Sequence, residues 1–152
     1  MKINWTASII AGIIGTLLFD ISGFVMTGTW WDIPGLIGQK LGFGLLGGLP
    51  VHYGNGIALA VIYAALRPSL FGPEWFRAFA YTTAQTVLIV WLFMFPLLGA
   101  GIAGWDLNKA LPVISLVRHY AYMVPLALLL NPKSRFCSAF GICEEQKASS
   151  AY

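Results

Sequence analysis

Apolar residues run along this chain in four long stretches, near residues 5–27, 45–66, 76–98 and 111–130. Each is close to the roughly 20 residues that a helix needs to cross about 30 Å of hydrocarbon. The pattern predicts an all-α fold, a four-transmembrane-helix bundle formed by residues 1–133, followed by a short tail over residues 134–152. The first stretch begins directly after Met1 and Lys2. Its length, and the lack of a small-residue cleavage site ahead of a polar region, mark it as a retained helix rather than a removable signal. Between the first two stretches lies WWDIPGLIGQKLGFGLLGGLP, too rich in Gly and Pro for a uniform helix and too apolar for a free aqueous loop. It predicts an interfacial connector with a short helix from Pro34, roofing the bundle.

Polar and small residues recur inside the stretches at helical spacing, so each predicted helix has one face suited to the bundle interior. These faces are Gly12, Thr16, Asp20, Gly23 and Thr27; His52, Asn55, Gly56, Ala60 and Tyr63; Thr82, Gln85 and Thr86; and Ser115, Arg118, His119 and Tyr122. Asp20, His52 and Arg118 each stand 15 residues from a marker of the inner interface, respectively Trp5, Arg67 and Lys133. At a rise of about 1.5 Å per residue, that places them in one layer, roughly 22 Å deep, with His119 beside them. A charge in hydrocarbon costs on the order of 2.5–3.5 kcal/mol, so the layer should face inward and pair, Asp20 with Arg118. Asn55 and Tyr122 fall on the same faces and complete an intramembrane polar layer.

Composition agrees with a membrane protein: 58% of residues are hydrophobic, 10% are charged, and mean hydropathy is +0.75. Lys2, Arg67, Arg77, Lys133 and Arg135 gather on one side of the spans, against Lys40 and Lys109 with Asp32 and Asp106 on the other. Because basic residues stay on the cytoplasmic side, both termini are expected there. Trp5 and Trp75 then mark the inner interface, and Trp30, Trp31 and Trp105 the outer one. The net charge of +3 consists largely of these orienting residues and forms no basic stripe, which argues against nucleic-acid binding. Cys137 and Cys143 lie in the tail, on the reducing side of this topology, and their C-x5-C spacing lacks the further ligands of a zinc site.

Two short pieces repeat. VHYGNGIALAVIYAALRP and RHYAYMVPLALLLNPK each carry a His-Tyr pair, His52-Tyr53 and His119-Tyr120, and end at a Pro beside a basic residue. The likeness suggests two tandem helical hairpins related by an axis along the membrane normal. In that arrangement His52 and His119 would face each other, the geometry for a bis-histidine haem b or, with one histidine, a chlorophyll magnesium. The same layer would equally suit a quinone or small-solute pocket, or simple interhelical hydrogen bonding. No HExxH, P-loop, GxGxxG or nucleophile-elbow pattern is present, so no catalytic residues are assigned.

The order of a Gly-rich first span, the DIPGLIG segment, H-x-x-x-G from His52 to Gly56, AVIYAAL, MFPLLGAGIAG and a last span with His119 resembles the YagU-like and related uncharacterised four-helix membrane proteins. The likeness covers most of residues 5–130 and departs at Arg118 and in HYAYM. It implies a fold and a location, the bacterial inner membrane, and no chemistry. Two classes of function fit. In one, the chain is a non-catalytic accessory or structural subunit of a larger membrane complex, contacting lipid, other subunits or a second copy, with Phe76, Trp91, Phe93 and Phe95 on its outer face. In the other, it is a redox or transport module built on the Asp20, His52, Arg118 and His119 layer.

Overall fold

The computed structural model describes residues 3–131 and contains four helices long and apolar enough to cross a membrane. They are α1 (Trp5–Thr27), α3 (Gly44–Leu66), α4 (Glu74–Leu97) and α5 (Leu111–Leu129), with a shorter α2 (Asp32–Leu41) between the first two. The expected tail lies outside the described residues. The Asn4 side chain caps α1 by accepting from the Ala7 N–H at 2.9 Å. Gly28, at φ 71°, closes its far end by donating its own N–H to the Phe24 carbonyl. Trp31, also left-handed at φ 56°, then turns the chain into α2, two residues ahead of the predicted Pro34 start.

In hydrocarbon, apolar side chains gain little by leaving lipid, so helices associate through close packing and hydrogen bonds. On α1 the large residues Ile9, Ile13, Leu17 and Ile21 form an exposed stripe, while the small ones, Ala7, Ser8, Ala11, Gly12 and Gly15, are buried. The α1 surface packs against both α3 and α5, and α4 packs against α5. Around the bundle the order is therefore α3, α1, α5, α4. The α1–α3 seam is tight enough that a Cβ on Gly12 would meet the Ile57 Cα at 2.6 Å, and one on Gly56 would collide with the Thr16 hydroxyl.

The ring is incomplete between α3 and α4. In the half of the bundle away from α2, labelled inner, with the half beside α2 labelled outer, these helices meet through Tyr81, whose hydroxyl donates to the Leu59 carbonyl at 2.8 Å and whose ring lies 5.2 Å from that of Tyr63. Their connection is fastened by Arg67, which grips the Glu74 carboxylate at 2.7 and 2.9 Å. In the outer half they diverge. There α4 winds as a π-helix over Thr86–Met94, placing more residues in each turn than an α-helix does. A strict two-fold between hairpins would pack α3 on α4 as α1 packs on α5, so the sequence repeat is not carried into the packing.

The π-winding also corrects the expected lipid face. Trp91 is half-buried and donates its indole N–H to the Ser115 hydroxyl at 2.8 Å, and Phe95 turns inward, while Phe93 stays exposed. Counting at α-helical periodicity misplaces side chains beyond Thr86.

The seam gives a direct test. Gly56→Val should wedge α1 from α3 and lower stability by about 1–3 kcal/mol, the usual cost of overpacking, whereas Gly54→Val, which meets nothing within 4 Å, should be nearly neutral. Thermal unfolding of both variants in detergent checks this; equal midpoints would contradict the seam.

Candidate functional site

The predicted polar layer is present but paired differently. Asp20, 1% exposed, accepts a hydrogen bond on Oδ1 from His52 Nε2 at 3.0 Å, while its Oδ2 has no partner. Tyr53, next to His52, lies close enough to interact with this carboxylate. Arg118 instead reaches α2, where Nη1 and Nη2 grip the two oxygens of Asp32 at 2.7 and 2.8 Å. The expected Asp20–Arg118 pair is thus replaced by two pairs. The reason lies in side-chain length and packing. Asp20 is short and buried on α1, where His52 on adjacent α3 can meet it. Arg118 sits about two helical turns inside the outer end of α5, so its long stem snorkels to the interface.

Other residues make room for this reach. Gly23 leaves space for the guanidinium, which a Cβ would strike, and the Arg118 Cζ lies 4.3 Å from the centre of the Phe19 ring. Arg118 Nε is buried without a partner. Asp32 is the first residue of α2, and its carboxylate also accepts from the Ile33 N–H at 2.8 Å. Burial disfavours the Asp32 carboxylate, but the hydrogen bonds and charge of Arg118, together with that N–H, outweigh it and hold the carboxyl below its usual 3.8.

Below this pair, His119 Nδ1 donates to the Ser115 carbonyl at 2.6 Å, and Tyr122 donates its hydroxyl to the Gly56 carbonyl at 2.6 Å. Phe19 packs against both histidines, with ring centres 5.5 Å from His52 and 5.0 Å from His119. With His52 Nε2 held by Asp20 and an apolar ring against both imidazoles, the pair is arranged for hydrogen bonding rather than for clamping a haem. Among the described residues there is no cluster of three or more His, Cys, Asp or Glu placed to hold a metal.

These groups line a cavity of about 520 Å³ in the outer half of the bundle. Its deep wall carries Thr16, His52, Asn55, Gln85, Ser115, His119 and Tyr122, with Asn55 the one predicted layer residue that is exposed. Nearer α2 the lining is largely apolar, with Ile33, Leu36 and Ile37 on α2, Ile89 and Met94 on α4 and Ile114 on α5, beside the paired Asp32 and Arg118 and the rim residues Thr27 and Lys40. Val51 of α3 and Ile89 of α4, both exposed, flank an opening between these helices, so the cavity faces sideways out of the bundle. Asp32 and Phe19 are the site residues that sequence reasoning missed. The signal for Asp32 was available in the depth of Arg118, which lies within an arginine's reach of the interfacial DIPGLIG segment. In comparisons with known proteins, no family model, no curated protein and no solved structure matches this chain.

The Asp32–Arg118 pair should stabilise the protein wherever Asp32 is ionised. Since its folded pKa lies below 3.8, that contribution is complete above the ordinary carboxylate range and is lost as pH falls through the lowered value. Asp32→Asn should remove about 2 kcal/mol at neutral pH, the scale of a hydrogen bond to a charged group, and flatten this part of the acid limb. Melting temperatures from pH 7 to pH 3 for both proteins test it, and parallel curves would count against the pair.

Proposed function

We propose that the chain is a small non-catalytic membrane protein that holds a lipid-like molecule in its lateral cavity, in the manner of an accessory subunit of a larger membrane complex. The observation that carries this reading is the 520 Å³ cavity between diverging α3 and α4, with uncharged polar groups gathered at its deep end and apolar side chains such as Val51, Ile89 and Val90 at its sideways mouth. That gradient matches an amphiphile entering sideways from the bilayer, head first. The polar groups are mostly held by one another, with no activated nucleophile or open metal site among the described residues. Such a wall binds and orients. The YagU-like resemblance, kept here as a proposed kinship, would put the protein in a bacterial inner membrane and supplies no chemistry to this reading.

Native mass spectrometry of protein purified gently from its own membrane tests the cavity. About one amphiphile per chain is expected on the wild type and none on Ile89→Trp, whose indole would fill the mouth. A wild type without bound amphiphile, or a variant that keeps it, overturns the reading.

Both termini are placed on the cytoplasmic side, supported by Arg67 and Arg77 at the α3–α4 turn and Lys2 at the start of the chain. A membrane-impermeant thiol reagent applied to intact cells should leave Cys137 and Cys143 unlabelled and label them after permeabilisation. Labelling without permeabilisation would reverse the topology.

A further inference from the structure

Two side chains on the deep wall of the cavity narrow the chemistry of its occupant, an inference that rests on the lipid-cavity reading above. The hydrogen bond from His119 to the Ser115 carbonyl fixes a proton on Nδ1, because a carbonyl oxygen only accepts. No carboxylate among the described residues pairs with this ring, and Arg118 lies next to it in sequence on the same buried face. A second positive charge there would be uncompensated, so the imidazole is neutral and its Nε2 presents a bare lone pair. Gln85, on the adjacent α4, is 7% exposed and lines the same cavity, and its amide makes no hydrogen bond to another described residue. An amide buried in this way needs a partner.

Most of the remaining polar groups are already engaged. The Ser115 hydroxyl donates to the Pro112 carbonyl and accepts from Trp91, the Tyr122 hydroxyl donates to Gly56, and Arg118 is neutralised by Asp32. Lys40 is exposed at the outer rim, where water solvates it, and so does not set selectivity at depth. What the wall offers is therefore one acceptor without a donor, on His119, and the amides of Gln85 and, at its more open side, Asn55, which both donate and accept, with no unpaired charge at depth. We infer that the occupant is an uncharged amphiphile bearing a hydroxyl group, phenolic or aliphatic. Its O–H donates to His119 Nε2, its oxygen accepts from the Gln85 amide, and its apolar remainder leaves between α3 and α4. A quinone, an ether or a fatty-acid anion lacks the donor that His119 requires.

The experiment uses the full chain in detergent, keeping Trp91 as fluorescent reporter with the other five tryptophans replaced by Phe. The probes are 4-nonylphenol, its methyl ether, 1-dodecanol and laurate. The phenol is expected to bind at least tenfold more tightly than the ether, which has the same tail and no O–H. His119→Phe and Gln85→Leu should each bring that ratio towards one while the ether still binds. Dodecanol matching the phenol would assign an aliphatic alcohol, and dodecanol matching the ether a phenol; both support the inference. Equal affinities of phenol and ether for the unsubstituted cavity overturn it, and so does laurate binding more tightly than the phenol. That comparison holds even if the His119 variant fails to fold. If no probe binds, ether included, the cavity reading itself fails.

Discussion

A guanidinium two helical turns inside an apolar medium must be met by a carboxylate or by water, and in this protein Asp32 meets it. From that pairing follows the architecture of the outer half. Arg118 extends from α5 past Phe19 and Gly23 of α1 to the first turn of α2, so one side chain ties three helices together. It also keeps α2 over the bundle, where Ile33, Leu36 and Ile37 cover the cavity. Without this tie, α2 would be held mainly by its contact with the start of α3.

The inner and outer halves are held by different means. At the inner end, Tyr63, Tyr81, Leu126 and the alanines Ala7, Ala11, Ala60 and Ala78 form a closed core. Small residues bring the backbones together there, and the Tyr81 hydroxyl bridges α4 to α3. At the outer end the same helices stand apart, and the polar groups between them are satisfied in pairs, Asp20 with His52 and Arg118 with Asp32. Close packing is concentrated below and open space above, which is the arrangement the proposed binding role requires.

Much of this was legible in the sequence because helical rise and periodicity are dependable over straight α-helices. The span Trp5–Thr27 coincides with the first apolar stretch, and Thr16, Asp20, His52, Gly56, Gln85, Ser115, Arg118, His119 and Tyr122 are buried as their spacing requires. What could not be read depends on events that periodicity does not encode. The π-winding of Thr86–Met94 rotates Trp91 and Phe95 inward. The reach of Arg118 trades a partner at its own depth for one at the interface. The two His-Tyr pairs look alike in sequence, yet His52 bonds a carboxylate and His119 a carbonyl of its own helix, so similar residues acquired unlike roles from their neighbours.

On the proposed reading, in which an amphiphile enters from the bilayer, the sideways opening between α3 and α4 changes what affinity means for this protein. A molecule that reaches the cavity through the bilayer arrives from a two-dimensional reservoir, in which hydrophobic partitioning has already raised its local abundance far above that in water. Occupancy then follows the molecule's mole fraction in the membrane rather than its aqueous concentration. A site of modest intrinsic strength can be nearly full in one membrane and nearly vacant in another of different lipid make-up, so the cavity would report the composition of the bilayer that surrounds it.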